Sequence, residues 1–238
     1  EAGGPGIVVG TVVQRAHYFG VSKNLSMLTD PKQFKGLTVV TSPEPNTNFS
    51  VMKKLLLDNG LKPQIDTKIL QVSPGTEIGA MLAGQADIAV AYQPSVSSAE
   101  SQGAKVVFDF ASYVGPFCNT GIMVLPEYAK ANPDIVQALV TSFEEAGRLV
   151  YADPAYAKKV ARLELPDLEG AIVDKAIDAE IKYQIPAATV VTQADAWNKL
   201  MEMQKFLGNV KYSIPMDQVV DNSYAEMAVK NAKNVKAP

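Results

Sequence analysis

The chain has 238 residues, 47% of them hydrophobic, so it can bury a real core as one large domain or as two lobes of ordinary size. Lys and Arg total 22 against 25 Asp and Glu, a net charge of −3 without a basic block, which argues against a nucleic-acid footprint and for a small partner. The one cysteine, Cys118, excludes an intrachain disulfide framework without fixing the compartment, and no run approaches the roughly 20 apolar residues that span a bilayer.

The first residues, EAGGPGIVVG, have neither the basic start nor the apolar segment of a signal peptide, so a targeting segment is expected to have been removed or never to have existed. Ile7 to Val13 reads as a strand and Ala16 to Val21 as a second extended piece carrying the only histidine. Asp30-Pro31-Lys32-Gln33-Phe34 suggests one short helical turn ended by Gly36, before a strand from Leu37 to Thr41. The polar loop Ser42 to Asn46 opens a helix over about Thr47 to Asn59, with Phe49, Met52, Leu55 and Leu56 on one face and Gly60 as its stop.

Ile65 to Val72 alternates as the next strand and ends in the turn Ser73-Pro74-Gly75. Glu77 to Tyr92 follows, in which an Ala-rich helix stops at Gly84 and turns through Gln85-Ala86-Asp87 into the wholly apolar strand Ile88 to Ala91. A strand without polar alternation is normally covered on both faces, which marks an α/β sheet whose strand ends can hold a ligand. Pro94 starts a helical segment ending near Gly103, and Lys105 to Phe110 and Gly121 to Leu125 read as further strands. From Pro126 the period changes. Asn132-Pro133 and Asp153-Pro154 predict helices over about Pro133 to Tyr151 and Pro154 to Leu163. Further helices are predicted over Leu168 to Ile181, Thr189 to Leu207 and Val219 to Lys233, with Lys211 to Pro215 as a connection.

Several of these segments resemble the periplasmic solute-binding proteins of ATP-driven importers, in the group of sulfonate, taurine and nitrate binders and thiamine-pyrimidine (THI5/NMT1-like) proteins. Phe34-Lys35-Gly36-Leu37-Thr38-Val39 is similar to the group's "DLKGKKVGV" strand, and the next helix ends Asp58-Asn59-Gly60-Leu61. Ala80-Met81-Leu82-Ala83-Gly84-Gln85-Ala86-Asp87 is similar to its "ALLAGQVDA", and Asn132-Pro133-Asp134-Ile135-Val136 to one of its helix starts. The order and spacing persist over most of the chain.

The resemblance implies an α/β, two-lobed, periplasmic-binding-protein-like (type II) architecture with the ligand between lobes that close over it. Residues 1–35 would supply a first-lobe strand and crossing segment, 36–115 the second α/β lobe, and 116–238 the return crossing and a helical part packing mainly on the first lobe. The group usually begins with a strand, a helix bearing "GYF…GL", another strand and a first "AGQAD" turn, so the first lobe is expected to be incomplete here.

Candidate contacts follow from residue chemistry and from where the resemblance puts the cleft. Asn46, Thr47, Asn48 and Ser50 lie where a strand end meets a helix start, whose free N–H groups bind carboxylate, sulfonate or phosphate oxygens; Asn46 or Thr47 would otherwise simply cap the helix. Thr76 and Glu77 repeat that geometry, although a buried Glu77 would oppose an anionic ligand. Tyr92 and Gln93 follow the buried strand and suit an organic ligand, or form an ordinary rim. Asn119 and Thr120 lie in a loop, Pro116 to Thr120, that would cross between lobes, and either donate to a ligand or tie down a hinge. His17 and Tyr18, with Phe19, would bind a ring or an anion, against the commoner structural role of a lone histidine.

Trp197 shares helical spacing with Ala194, Leu200 and Met201 and reads as core, and Cys118 as an inert small residue. One histidine precludes a two-histidine metal motif, and no Ser-His-Asp arrangement is suggested by position, so neither a metal nor a cofactor is expected. The expected function is noncatalytic binding of a small anionic or aromatic solute for delivery to the membrane permease of an ABC importer, in the periplasm or at the cell-envelope exterior. The alternatives are an enzyme on the same fold, resembling the pyrimidine-synthesising relatives, with His17, Glu77 or Cys118 as its reactive group, and a ligand-sensing domain of a larger receptor.

Overall fold

The computed structural model describes residues 4–232. Its strands there are β1 (Ile7–Arg15), β2 (Phe19–Ser22), β3 (Thr38–Thr41), β4 (Lys68–Gln71), β5 (Ile88–Ala91), β6 (Lys105–Asp109) and β7 (Pro116–Val124). The chain divides into two compact units, one of Glu1–Arg15, Pro116–Pro166 and Glu180–Pro238, the other of Ala16–Gly115 and Asp167–Ala179. We call them the outer-segment unit and the central unit, for their places in the sequence.

The central unit is built on a five-stranded sheet in the order β4-β3-β5-β2-β6. β3 runs parallel to β4 and β5, and β2 pairs antiparallel with β5 and β6. All four residues of β5 are buried, and because successive side chains point to opposite faces, both faces are covered, as the apolar run predicts. The helices α1 (Thr47–Asp58), α2 (Glu77–Leu82), α3 (Ser95–Ser101) and α4 (Phe110–Val114) belong to this unit. Gly84, at a φ of 76°, takes the left-handed conformation that turns the chain from α2 toward β5. At Gly20 the reason for glycine is space, since a Cβ there would lie 3.1 Å from the Phe108 Cβ and 3.3 Å from the Ile88 Cγ2.

Residues 16–35, expected with the first lobe, lie instead in the central unit. β2 is inserted between β5 and β6, and the 3-10 turn Pro31–Phe34 sends Phe34 into the core, fully buried. Asp30 forms a capping box on that turn with Gln33. The expected strand from Ile65 is shortened to Lys68–Gln71, because Asp66 accepts from the Lys62 N–H at 2.9 Å and Gln64 adopts a φ of 67°, making residues 62–67 a tight turn.

In the outer-segment unit β1 and β7 form an antiparallel pair with three register irregularities. Pro116 to Thr120, expected as a loop, is the first part of β7, because pairing with β1 extends from Val124 back to Pro116. The helices of this unit are α5 (Pro126–Ala131), α6 (Pro133–Ala152), α7 (Pro154–Glu164), α9 (Ala194–Phe206) and α10 (Ser223–Asn231), whereas α8 (Gly170–Lys182) belongs to the central unit through Ala179. Val9, Ile122, Val136, Val140, Val190, Ala225 and Ala228 form one hydrophobic cluster.

Two predicted helices begin late. Thr11 N–H donates to the Val190 carbonyl and Ala187 N–H to Val12, so residues 187–190 lie extended beside β1 and α9 starts only at Ala194. Likewise Val8 N–H donates to the Val219 carbonyl and Asp221 N–H to Val8, which delays α10 to Ser223; the expected end at Lys233 lies outside the described residues. Buried Glu144 ties this unit together, accepting from Arg148 Nε at 2.8 Å and from the Val190 N–H at 2.9 Å. Trp197 is 8% exposed and donates its indole N–H to the Ile214 carbonyl at 3.0 Å, in keeping with a core residue.

Candidate functional site

In the central unit the parallel strands β3 and β5 end at one edge of the sheet, the edge at which open α/β sheets hold ligands. Phe19, the first residue of β2, pairs with Ala91, the last of β5, so antiparallel β2 brings the preceding His17 and Tyr18 to the same edge as Tyr92. The three rings form one group. His17 stacks on Tyr92 with centroids 5.4 Å apart and planes 15° apart, while Tyr18 meets His17 edge-on at 4.7 Å and Tyr92 at 6.1 Å.

Burial sets the protonation of this group. It pushes the Tyr18 hydroxyl up to about 12, with the neighbouring Tyr92 and Glu77 adding to the rise and a hydrogen bond with Thr47 opposing it. Burial also lowers His17 from its ordinary value, so at neutral pH the imidazole is uncharged and presents one donor and one acceptor. Tyr92 is 37% exposed and supplies the open aromatic surface.

Beside the rings, α1 begins without a side-chain cap: Asn46, at the cap position, turns its amide back to the Pro43 carbonyl at 3.0 Å. The Phe49 N–H is taken by the Asn48 Oδ1 at 2.8 Å. An uncapped first turn keeps N–H groups and a partial positive charge for an outside acceptor.

Behind this edge lies a closed polar network. Ser42 Oγ donates to Glu77 Oε1 at 2.5 Å, Asn48 Nδ2 donates to Ser42 Oγ at 3.0 Å and to the Val90 carbonyl at 3.2 Å, and the Gly75 N–H donates to Glu77 Oε2 at 2.9 Å. Asn48 and Glu77 are each 2% exposed, so these two candidates are partnered inside the unit. Ser50 is also buried, its hydroxyl 3.4 Å from the Pro45 carbonyl. Thr76 Oγ1 donates to the Ser73 carbonyl at 2.7 Å, and Gln93 Oε1 accepts from the Ser97 N–H and hydroxyl at 3.1 and 2.8 Å. The candidates that meet at this edge are therefore His17, Tyr18, Thr47 and Tyr92, with Tyr18 itself buried and the other three at least partly open.

Asn119 and Thr120 lie in the other unit, on β7, Thr120 exposed and opposite Val13, Asn119 with a buried Oδ1 that accepts no hydrogen bond. Cys118 there lies 4.0 Å from Thr11 Oγ1, and burial pushes its thiol above the ordinary value. Ser42 and Arg15 were not singled out in the sequence; Ser42 is the hub that joins Asn48 to Glu77, and a serine directly after a buried strand was the available signal. Among the described residues no three His, Cys, Asp or Glu side chains gather as a metal site, and no helix is long and apolar enough to cross a membrane.

A sheet with parallel strand ends, an uncapped helix start and an aromatic group at one edge defines the class of α/β ligand-binding folds. The chain belongs to the NMT1/THI5-like family, whose profile matches residues 1–157. Its fold is similar to that of the periplasmic aliphatic sulphonate binding protein SsuA from Escherichia coli, at a TM-score of 0.73 and 16% identity over 100% of this chain and 73% of that one. It is similar also to the periplasmic nitrate-binding protein NrtA from Synechocystis PCC 6803, at a TM-score of 0.72 and 14% identity over 95% of this chain and 67% of that one. The desulfurization enzyme DSZB shares the fold at a TM-score of 0.71 and 13% identity, over 96% and 80%. No curated protein sequence matches the chain.

Proposed function

We propose that the protein captures a small organic or anionic solute without transforming it and delivers it to the membrane permease of an ABC importer, outside the cytoplasmic membrane. The observation that carries this reading is the group of His17, Tyr18 and Tyr92 beside the uncapped start of α1, at the strand-end edge of the central sheet. Tyr92 offers a face for an apolar or aromatic body, and the neutral imidazole, the Thr47 hydroxyl and the α1 N–H groups offer hydrogen bonds to an oxyanion. The fold shared with proteins named for sulfonate and nitrate binding supports it.

DSZB, named an enzyme, gives the second reading, catalysis on the same fold. Against it, Cys118 is held as a thiol by burial, in the unit that does not contain His17, and Glu77 is enclosed by its own hydrogen bonds. Native mass spectrometry before and after mild denaturation separates the two. A solute released unchanged, which restores thermal stability when added back, supports capture; its conversion to product on re-addition would replace capture with catalysis. Loss of the restoring effect in Tyr92→Ala locates the solute at the aromatic group.

A further inference from the structure

The outer-segment unit contains a cavity of about 410 Å³ that the reading above does not use. Arg15, the last residue of β1, is in its wall. The Arg15 Nη2 donates to Gln184 Oε1 at 2.9 Å, but its Nε is buried without an acceptor, and among the described residues Arg15 forms no ion pair. A buried guanidinium N–H with no acceptor is unfavourable by itself, and the oxyanion of a ligand would complete it. Glu180 does not settle the matter from the protein side. Glu180 and Arg15 both act on the Tyr151 phenol, yet burial raises the Glu180 carboxyl to about 7, so near neutral pH it is only partly charged.

The remaining lining selects among anions. Asp195 is in the same wall, exposed, with Oδ1 accepting from the Ala196 N–H at 2.8 Å. One formal positive and one formal negative charge therefore line the cavity, which disfavours a dianion and leaves a carboxylate oxygen to accept a hydrogen from the ligand. Pro116, Ala188 and Ala196 give an apolar wall, and the volume suits an organic molecule rather than a bare ion.

We propose that this cavity binds a small monoanionic hydroxy acid, its carboxylate on Arg15 Nε and its hydroxyl donating to Asp195. All the residues that line it belong to the outer-segment unit. The planar guanidinium matches a planar carboxylate, which an ammonium would hold less well.

Isothermal titration of the full chain with 3-phenyllactate, 3-phenylpropanoate and inorganic phosphate tests it. Phenyllactate binds, its deoxy analogue about tenfold more weakly and phosphate more weakly than either. Arg15→Gln abolishes binding and Arg15→Lys weakens it by about tenfold. Asp195→Ala makes the two acids equal, and circular dichroism confirms that each variant folds. Absence of phenyllactate binding, wild-type affinity in Arg15→Gln, or phosphate binding as tightly as phenyllactate overturns the proposal. Tyr92→Ala is the control for the aromatic group: phenyllactate affinity lost there and kept in Arg15→Gln would assign the acid to that group and overturn the cavity site.

Discussion

The two units differ in how completely they satisfy their buried polar atoms. In the central unit Ser42, Asn48, Gly75 and Glu77 form a network in which the buried carboxyl accepts from a hydroxyl on one oxygen and from a backbone N–H on the other. In the outer-segment unit Glu144 is matched as well, but Arg15 Nε and Asn119 Oδ1 are buried without partners. Buried polar groups that satisfy one another fix a structure, whereas an unmatched one marks capacity for something outside the protein. Glu77, attractive in the sequence as a helix-start residue, thus belongs to the scaffold that holds the site's edge.

The largest effect should come from breaking the closed network. Glu77→Ala removes the acceptor of the Ser42 hydroxyl and the Gly75 N–H and leaves a buried gap, so a loss of about 3 kcal/mol is expected in urea unfolding. Glu77→Gln keeps the volume and an acceptor and should lose about half as much. A loss below about 0.5 kcal/mol for the alanine variant would show that the network holds nothing, and the contrast between the units would fall.

A pH series sharpens the contrast within the outer-segment unit. Glu180 is raised by burial to about 7, so between its unfolded value and that point the folded chain binds more protons than the unfolded chain. Stability from this residue therefore falls as pH rises from about 4.5 to 7 and levels off above. In Glu180→Gln that component should vanish, and the variant should gain about 2 kcal/mol relative to wild type between pH 5 and pH 8. Parallel pH profiles of the two proteins would mean that water reaches the carboxyl.

Much of the architecture was legible because it is locally encoded. Ile88 to Ala91 is a strand of those bounds, and the prolines after Asn132 and Asp153 begin α6 and α7, although only Asp153 caps with its side chain, accepting from Tyr156 N–H at 2.9 Å. What depends on distant pairing was not legible. Pro116 to Thr120 looks like a loop until β1 supplies its ladder, and Thr189 to Gln193 looks helical until β1 claims the backbone of Val190. For the candidate site, residue type marked His17, Tyr18 and Tyr92 as ligand-competent, but their meeting follows from the pairing of Phe19 with Ala91 across 72 positions of chain. The state of Arg15 is less visible still, because it turns on Gln184, 169 residues away, taking one of its N–H groups and nothing taking another.

The aromatic edge should be separable from the scaffold behind it. Tyr92 is 37% exposed, so Tyr92→Ala should lower solute affinity by about tenfold while changing stability by less than about 1 kcal/mol. A large loss of stability with unchanged affinity would make Tyr92 part of the frame, and the open surface would then have to be sought elsewhere on the strand-end edge.

The smallest effect is expected at the residue whose charge looks most conspicuous. Arg15 contributes a hydrogen bond to Gln184, but its buried Nε is unmatched, and replacing an unsatisfied polar group with an apolar one of similar length removes that burden along with the bond. Arg15→Met should therefore leave stability within about 0.5 kcal/mol of wild type, or raise it, although the residue is largely enclosed. Glu144→Met, by contrast, strands Arg148 and the Val190 N–H and should be clearly destabilised, by about 2 kcal/mol or more. If Arg15→Met were as damaging as Glu144→Met, Arg15 would be as well matched within the protein as Glu144, and the case for an external partner at Arg15 would lose its physical ground.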